Sequence, residues 1–313
     1  MMLQDSKEKR TYDAIVIGSG ASGGWAAKEL TEKGLKTLVL ERGRMINHID
    51  DYHTANMDPW DFKGGDTITQ DAYKRQPKQS RTGYVNRESS RHLFVDDLKH
   101  PYNDDKNKFN WIRGYHLGGR SLTWGRHTYR LSEFDFEANL KDGIGVDWPI
   151  RYNDLAKWYD YVEDYVGISG SSESLSQLPD GIFLPPIPMN AIEQHLKETV
   201  SKEYSDRIVI NGRVANLTEA KKGRGPCQYR NLCSRGCPFG GYFSSNSSTL
   251  LDAHETGNLT MRADSIVKEV IYDDLQKKAI GVVIIDAITK EEIRYYAKVI
   301  FLNASTIATT AIL

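Results

Sequence analysis

The sequence predicts an α/β fold, and three observations carry that prediction. Ala14-Ile15-Val16-Ile17 is a short apolar run closed by glycine, as expected of a strand buried in a parallel sheet. Gly18, Gly20 and Gly23 follow as G-x-G-x-x-G and lead into a helix with Ala26, Ala27 and Leu30, which stops near Gly34. A second apolar strand, Thr37 to Leu40, then ends on Glu41, about 20 residues past the glycine turn.

Each element has a chemical reason. The first glycine permits the tight turn, the second lets a pyrophosphate approach the backbone, and the third lets the helix pack closely on the strand. The helix N-terminus offers unpaired N–H groups and a positive dipole end to a phosphate. Glu41 stands where a carboxylate accepts hydrogen bonds from ribose hydroxyls, and its charge disfavours the 2′-phosphate of NADP. Together these features predict a Rossmann-like dinucleotide site. The pattern alone does not separate FAD from NAD.

Composition narrows the class further. The chain has 313 residues, 39% hydrophobic and 27% charged, with a formal net charge of −1. That length suits about two domains, and the near-zero charge provides no field toward nucleic acid or anionic lipid. The apolar run behind the charged opening is too short for a signal-peptide core, and no stretch reaches the roughly 20 apolar residues of a membrane-spanning helix. The chain is therefore expected to be soluble and to begin in the cytoplasm.

Trp111 to Arg130 reads WIRGYHLGGRSLTWGRHTYR. Its Arg113-Gly114 and Leu117-Gly118-Gly119-Arg120-Ser121 resemble a segment of the glucose–methanol–choline (GMC) oxidoreductases that runs along the flavin diphosphate and ring edge. The resemblance implies FAD. Leu259 to Val267 is similar to the family strand whose valine touches the adenine, which implies Val267 there. Val299 to Ala304 is similar to the returning Rossmann strand and its cofactor-contacting turn. The implied cofactor-binding residues are Gly18, Gly20, Ser22, Gly23, Glu41, Arg42, Arg113, Gly118, Gly119, Ser121, Thr123, Trp124, Gly125, Val267 and Ala304. Related pyranose oxidases attach FAD through a histidine in this segment. Thr123 stands there in this chain, so non-covalent FAD is expected, with His116 and His127 as ordinary satisfied histidines.

Cys227, Cys233 and Cys237 are the only cysteines and are spaced C-x5-C-x3-C, with Pro238 next. An odd cluster is not a disulfide framework. Three thiolates in one loop suit an iron–sulfur cluster, and Pro238 is similar to the C-P ending of ferredoxin loops. The spacing also resembles that of the bacterial glucose, fructose and gluconate dehydrogenases within the family, which implies a 3Fe-4S cluster. Zinc, with His254 as fourth ligand, and a metal-free loop remain as alternatives.

The rest sets the organisation. Residues 44–110 are polar and loop-rich, the region that covers the flavin in the family. Tyr152 to Tyr165 has amphipathic spacing, with Leu155, Trp158, Tyr159 and Val162 expected on a core-facing stripe. Ser169 to Ser176 looks like a surface linker, and Pro185-Pro186-Ile187-Pro188 ends regular structure. Ile266 to Tyr296 shows two or three strands broken at Asp273-Asp274 and near Thr289.

The expected architecture is α/β, a Rossmann-like FAD-binding domain interrupted by part of an α+β substrate domain. Residues 1–150 would form the FAD-binding domain with flavin-covering loops. Residues 151–255 would form the partial substrate domain with the Cys-rich loop, and 256–313 the β-meander and returning strand. Asn303 to Leu313 is apolar and uncapped, so the chain is expected to be truncated before the family's C-terminal catalytic histidine region; no catalytic base is assigned.

The resemblance implies oxidation of a sugar or alcohol hydroxyl by hydride transfer to flavin. Electrons would pass to a cytochrome or quinone, and a small chaperone-like subunit would carry the folded complex to the periplasm. A metal-free alcohol oxidase or non-sugar dehydrogenase, and a non-catalytic FAD-binding fragment, are the competing expectations.

Overall fold

The computed structural model describes residues 10–313, and the charged opening at 1–9 lies outside them. In chain order the elements are β1 (Thr11–Ile17), α1 (Ala21–Glu32), β2 (Thr37–Leu40), α2 (Gln70–Arg75), α3 (Glu133–Asp142), α4 (Tyr152–Val166) and α5 (Ala191–Glu203). They continue with α6 (Thr249–Glu255), β3 (Leu259–Arg262), β4 (Ser265–Asp273), β5 (Lys278–Asp286), β6 (Glu292–Leu302) and α7 (Thr306–Ile312). The chain divides into two compact units. The first comprises residues up to Trp124 with Asn231–Pro238 and Ser244–Leu313; the second is Gly125–Arg230 with Phe239–Phe243.

The first unit holds a six-stranded sheet in the order β3-β2-β1-β6-β5-β4. β3, β2, β1 and β6 run parallel, while β5 lies antiparallel to β6 and to β4. β1 is central and pairs on both edges, with Val16 opposite Val39 and Phe301, which is why its sequence is apolar without alternation. Side chains then sort by face. Val16 and Val39 pack with Ala27 of α1, Leu117, and Leu250 and Ala253 of α6. Ile15, Ile17, Leu38 and Leu40 join Val267, Val282, Ile284 and Ala297 in the other cluster. Each buried valine, leucine or isoleucine among them contributes about 1.5–3 kcal/mol.

The strands expected after Ile266 are β4, β5 and β6, and both turns are tied by aspartates. Asp273 accepts from the Leu275 and Gln276 amides at 2.9 Å, and Asp286 from those of Ile288 and Thr289 at 2.8 and 2.9 Å. Residues 44–110 are largely irregular but hold α2, capped by the Thr69 hydroxyl accepting from the Ala72 amide. No helix among the described residues is long and apolar enough to cross a membrane.

The second unit corrects two expectations. The stripe Leu155, Trp158, Tyr159 and Val162 is not core, for Trp158 is 55% and Val162 37% exposed. α4 is anchored at its C-terminal end, where Glu163, Tyr165 and Val166 are buried. There Glu163 accepts from Arg130 Nε at 2.9 Å, while Arg130 Nη1 donates to the Tyr152 hydroxyl at 3.0 Å. A buried ion pair together with Tyr165 and Val166, and not the expected stripe, docks this helix. The Ser169–Ser176 stretch starts inside the unit, since Ser169 is fully buried and bridges to Leu184 and Val214.

Candidate dinucleotide site

The glycine turn joins β1 to α1, and its three glycines have unequal reasons to exist. A methyl on Gly23 would stand 1.9 Å from the Gly18 carbonyl oxygen, so the helix could not close on the strand. Gly18 has φ +93°, and a methyl there would meet the Asn303 carbonyl oxygen at 2.5 Å. Gly20 has nothing within 4 Å of the same position. It also caps α1 without a side-chain hydrogen bond, and no acid occupies the first turn. The helix therefore presents unfilled N–H groups and its positive end over an open face.

The second glycine-rich segment comes to the first. Gly118 and Gly119 both have positive φ, and the position of a Gly119 Cβ lies 3.6 Å from Gly20 Cα. Gly118 N–H donates to the Ser19 hydroxyl at 2.9 Å. Ser121 donates its hydroxyl to the Gly118 carbonyl at 2.6 Å and accepts from the Ser245 amide at 3.0 Å.

Glu41 stands at the end of β2, buried. Its Oε2 accepts from the Ser19 amide at 3.2 Å and hydroxyl at 2.6 Å, and its Oε1 from the Gly43 amide at 3.0 Å. Burial pushes this carboxyl above the usual range, against the pull of those hydrogen bonds and of the Arg42 charge. A carboxylate has about four acceptor positions, so these three bonds leave capacity for a ligand hydroxyl.

The other sequence-derived residues spread around this centre. Ser22 is exposed in the first turn of α1. The Arg42 guanidinium stacks 3.9 Å over the Tyr115 ring. Arg113 is enclosed by protein partners, donating to the His100 carbonyl at 2.6 Å and the Tyr115 hydroxyl at 3.2 Å. Thr123 is buried and ends the 3-10 turn that begins at Gly119, Trp124 is half-buried, and Gly125 is exposed.

Val267 sits at a register shift in β4 with its side chain in the core. The chain beside it is tied to the acid, because the Ser265 amide donates to the Glu41 carbonyl at 2.8 Å. Ala304 Cα would lie 3.1 Å from a methyl on Gly18. His116 is buried between two carbonyls, with Nδ1 3.0 Å from Leu117 O and Nε2 3.1 Å from Leu93 O. His127 and His254 are exposed.

Sequence reasoning passed over four residues that frame the turn. Ser19 links Glu41 to Gly118, Asn303 lies under Gly18 and Gly23, and Asn246 and Ser245 line the other side. A methyl on Gly118 would collide with Asn246 Oδ1, and one on Gly24 with Thr249 Oγ1 and Ser245 Oγ. The run Ser244 to Thr249 is buried throughout, although every one of its residues is polar. Asn246 Oδ1, Ser245 Oγ, Thr249 Oγ1 and Asn303 Oδ1 are buried with no hydrogen-bond partner in the protein. An open glycine face, an unfilled helix N-terminus, a carboxylate with spare acceptor capacity and orphaned polar atoms fit a phosphate-linked dinucleotide.

The cysteines do not form the expected ligand set. Among the described residues, no three His, Cys, Asp or Glu side chains converge in a way that could hold a metal ion, and the 3Fe-4S expectation finds no support. Each end of the segment has its own anchor. Cys227 N–H donates to the Leu217 carbonyl at 2.8 Å, and Asn216 Nδ2 lies 3.7 Å from Cys227 Sγ. The Cys233–Cys237 turn is held by Arg235, whose Nη2 pairs with Asp66 at 3.0 Å and whose Nη1 donates to the Met57 carbonyl at 2.7 Å. Gly236 lies against the Tyr52 ring, 2.5 Å from where its Cβ would be.

The family model described as GMC oxidoreductase matches residues 12–313. Paromamine 6′-oxidase of Streptomyces fradiae is 26% identical over 263 residues, covering 82% of this chain and 40% of that protein. The fructose dehydrogenase large subunit of Gluconobacter japonicus is 26% identical over 249 residues, covering 76% of this chain and 43% of that protein. The crystal structure of pyridoxine 4-oxidase from Mesorbium loti superposes with a TM-score of 0.52 at 14% identity, covering 94% of this chain and 49% of that one; this likeness speaks to the fold. The chain thus spans about half or less of the length of the relatives it matches.

Proposed function

Because this chain belongs to the GMC oxidoreductase family, we propose that the protein binds FAD non-covalently and oxidises the CH–OH group of a sugar or related alcohol, delivering the electrons to an external acceptor. The observation that carries the reading is the open face of Gly20 beside Gly119, under the unfilled N-terminus of α1. Those N–H groups would receive the pyrophosphate charge. The remaining lone pair of Glu41 would accept a ribose hydroxyl, which favours FAD over a 2′-phosphorylated cofactor. Thr123, opposite the histidine of flavin-linked relatives, offers no ring nitrogen for attachment. When bound, FAD supplies the hydride acceptor, while the protein supplies position and electrostatics. No described residue is assigned the role of base.

One relative is named a dehydrogenase and another an oxidase, so the acceptor is a matter for experiment. The dehydrogenase's name as a large subunit supports a partner subunit here too. The protein should release intact FAD on acid denaturation. Anaerobic addition of a sugar panel should bleach its flavin, and reoxidation by an artificial acceptor should outpace that by O₂. Release of NAD or no nucleotide defeats the cofactor reading, and flavin retained on the precipitate defeats its non-covalent part. Flavin that no sugar or alcohol reduces defeats the activity.

A further inference from the structure

The strongest unassigned feature is a single file of buried hydrogen bonds through the site. Ser19 Oγ–H donates to Glu41 Oε2 at 2.6 Å, and Ser19 Oγ accepts from Gly118 N–H at 2.9 Å. The Gly118 carbonyl accepts from Ser121 Oγ–H at 2.6 Å, and Ser121 Oγ accepts from Ser245 N–H at 3.0 Å. Ser19 and Ser245 are fully buried, and Ser121 and Glu41 are 5% and 6% exposed. The file joins the β1–α1 turn, the end of β2, the second glycine turn and the segment before α6, which lie 22, 99 and 124 residues apart along its bonds.

Its polarity is fixed by the chemistry of its ends. The Gly118 amide only donates, so a Ser19 lone pair is committed to it and the one hydroxyl proton is left for Glu41 Oε2. Turning the hydroxyl proton away would leave Glu41 short of a donor, and turning it toward Gly118 would set it against that amide's own proton. Nothing in the G-x-G-x-x-G pattern demands a hydroxyl at this position, since the pattern's reasons are glycine reasons.

We propose that Ser19 is a positioning residue for the cofactor, its hydroxyl setting the ribose-facing carboxylate of Glu41 in register with the Gly118–Gly119 turn. The two halves of the dinucleotide site are thereby ordered together: what holds Glu41 in place also holds the second glycine turn against Gly20. Ser19 acts on the cofactor only through these two groups. The inference rests on the FAD reading above.

The test uses deflavinated protein titrated with FAD by fluorescence quenching, in wild type, Ser19→Ala, Glu41→Ala and the double variant. Loss of one charge-assisted hydrogen bond in a buried site implies that Ser19→Ala weakens FAD binding by about 10- to 100-fold. If Ser19 acts through Glu41, Ser19→Ala costs at most about threefold in the Glu41→Ala background, because the acceptor is already gone. FAD-saturated Ser19→Ala should also show altered visible circular dichroism, reporting a displaced second turn. Independent, multiplicative losses, or FAD affinity of Ser19→Ala within about threefold of wild type, overturn the proposal. Should the alanine variant fail to fold, Ser19→Cys, a poor donor to the carboxylate, must lose FAD relative to wild type by the same order, and equal affinity overturns the proposal. Wild type that takes up no FAD defeats the cofactor reading itself, a different outcome from any of these.

Discussion

Gly20 and Gly23 share one motif yet answer to different neighbours. A methyl on Gly23 would press on the Gly18 carbonyl at 1.9 Å, whereas one on Gly20 meets nothing within 4 Å. Gly23→Ala should therefore destabilise the cofactor-free protein by roughly 1–3 kcal/mol through overpacking. Gly20→Ala should change that stability by less than about 1 kcal/mol, the scale of an N-cap substitution, and weaken FAD binding at least about tenfold by filling the space the pyrophosphate needs. Urea unfolding of deflavinated protein and FAD titration measure the two effects separately. A stable Gly23→Ala, or a Gly20→Ala that binds FAD normally, would contradict this division of labour. The motif's spacing already suggested this division in the sequence; what the sequence does not hold is how closely each glycine is approached, because that depends on what stands opposite each one.

Among the elements, the turn Cys233–Cys237 illustrates how a short segment is held by one buried charge. Arg235 is 3% exposed and Asp66 5%, and Asp66 also accepts from the Ser89 amide at 2.7 Å and hydroxyl at 2.9 Å. Removing one partner of such a pair leaves a buried charge uncompensated, a cost of about 3–5 kcal/mol. Asp66→Ala should lower unfolding stability by that order, and adding Arg235→Met should recover a large part of it. Chemical denaturation of the single and double variants checks this, and a single-variant loss under about 1 kcal/mol, the surface-pair range, would count against it. The same logic explains α4, whose expected apolar stripe is half-buried at Leu155 and Tyr159 and exposed at Trp158 and Val162, while Glu163 is buried against Arg130. Periodicity locates a helix but does not register an ion pair that competes with its apolar face.

For the molecule as a whole, acid should be the weak side. Burial holds His116 down to about 4, its two carbonyl neighbours only partly opposing the shift. Burial and the charge of Arg44 bring His92 to a similar value. A histidine kept neutral in the fold but free to take a proton near 6.5 when unfolded contributes stability at neutral pH. That contribution is lost as pH falls from about 6.5 toward 4. For His116 it is on the order of 3 kcal/mol. Unfolding free energy in urea should therefore drop between pH 7 and pH 4.5, and His116→Gln should narrow that difference. An identical pH dependence in the variant would remove His116 from the account.

What the sequence determined by itself is local. β1, the glycine turn, α1, β2 and Glu41 follow from apolar runs, glycine positions and one terminal acid, and β4 to β6 from strand patterns broken at Asp273-Asp274 and Thr289. Apolar runs, glycine positions and strand breaks are local signals, so these elements could be read without knowing what they pack against. Tertiary structure decided which segments meet. It set Gly118–Gly119 against Gly20, routed Ser19 between Glu41 and Gly118, and buried the polar run Ser244–Thr249. It also left the three cysteines without the convergence that their spacing suggested. The physical reason is common to all of these. A polar group can be buried only where distant donors and acceptors meet it, and a spacing of residues does not record where those partners lie.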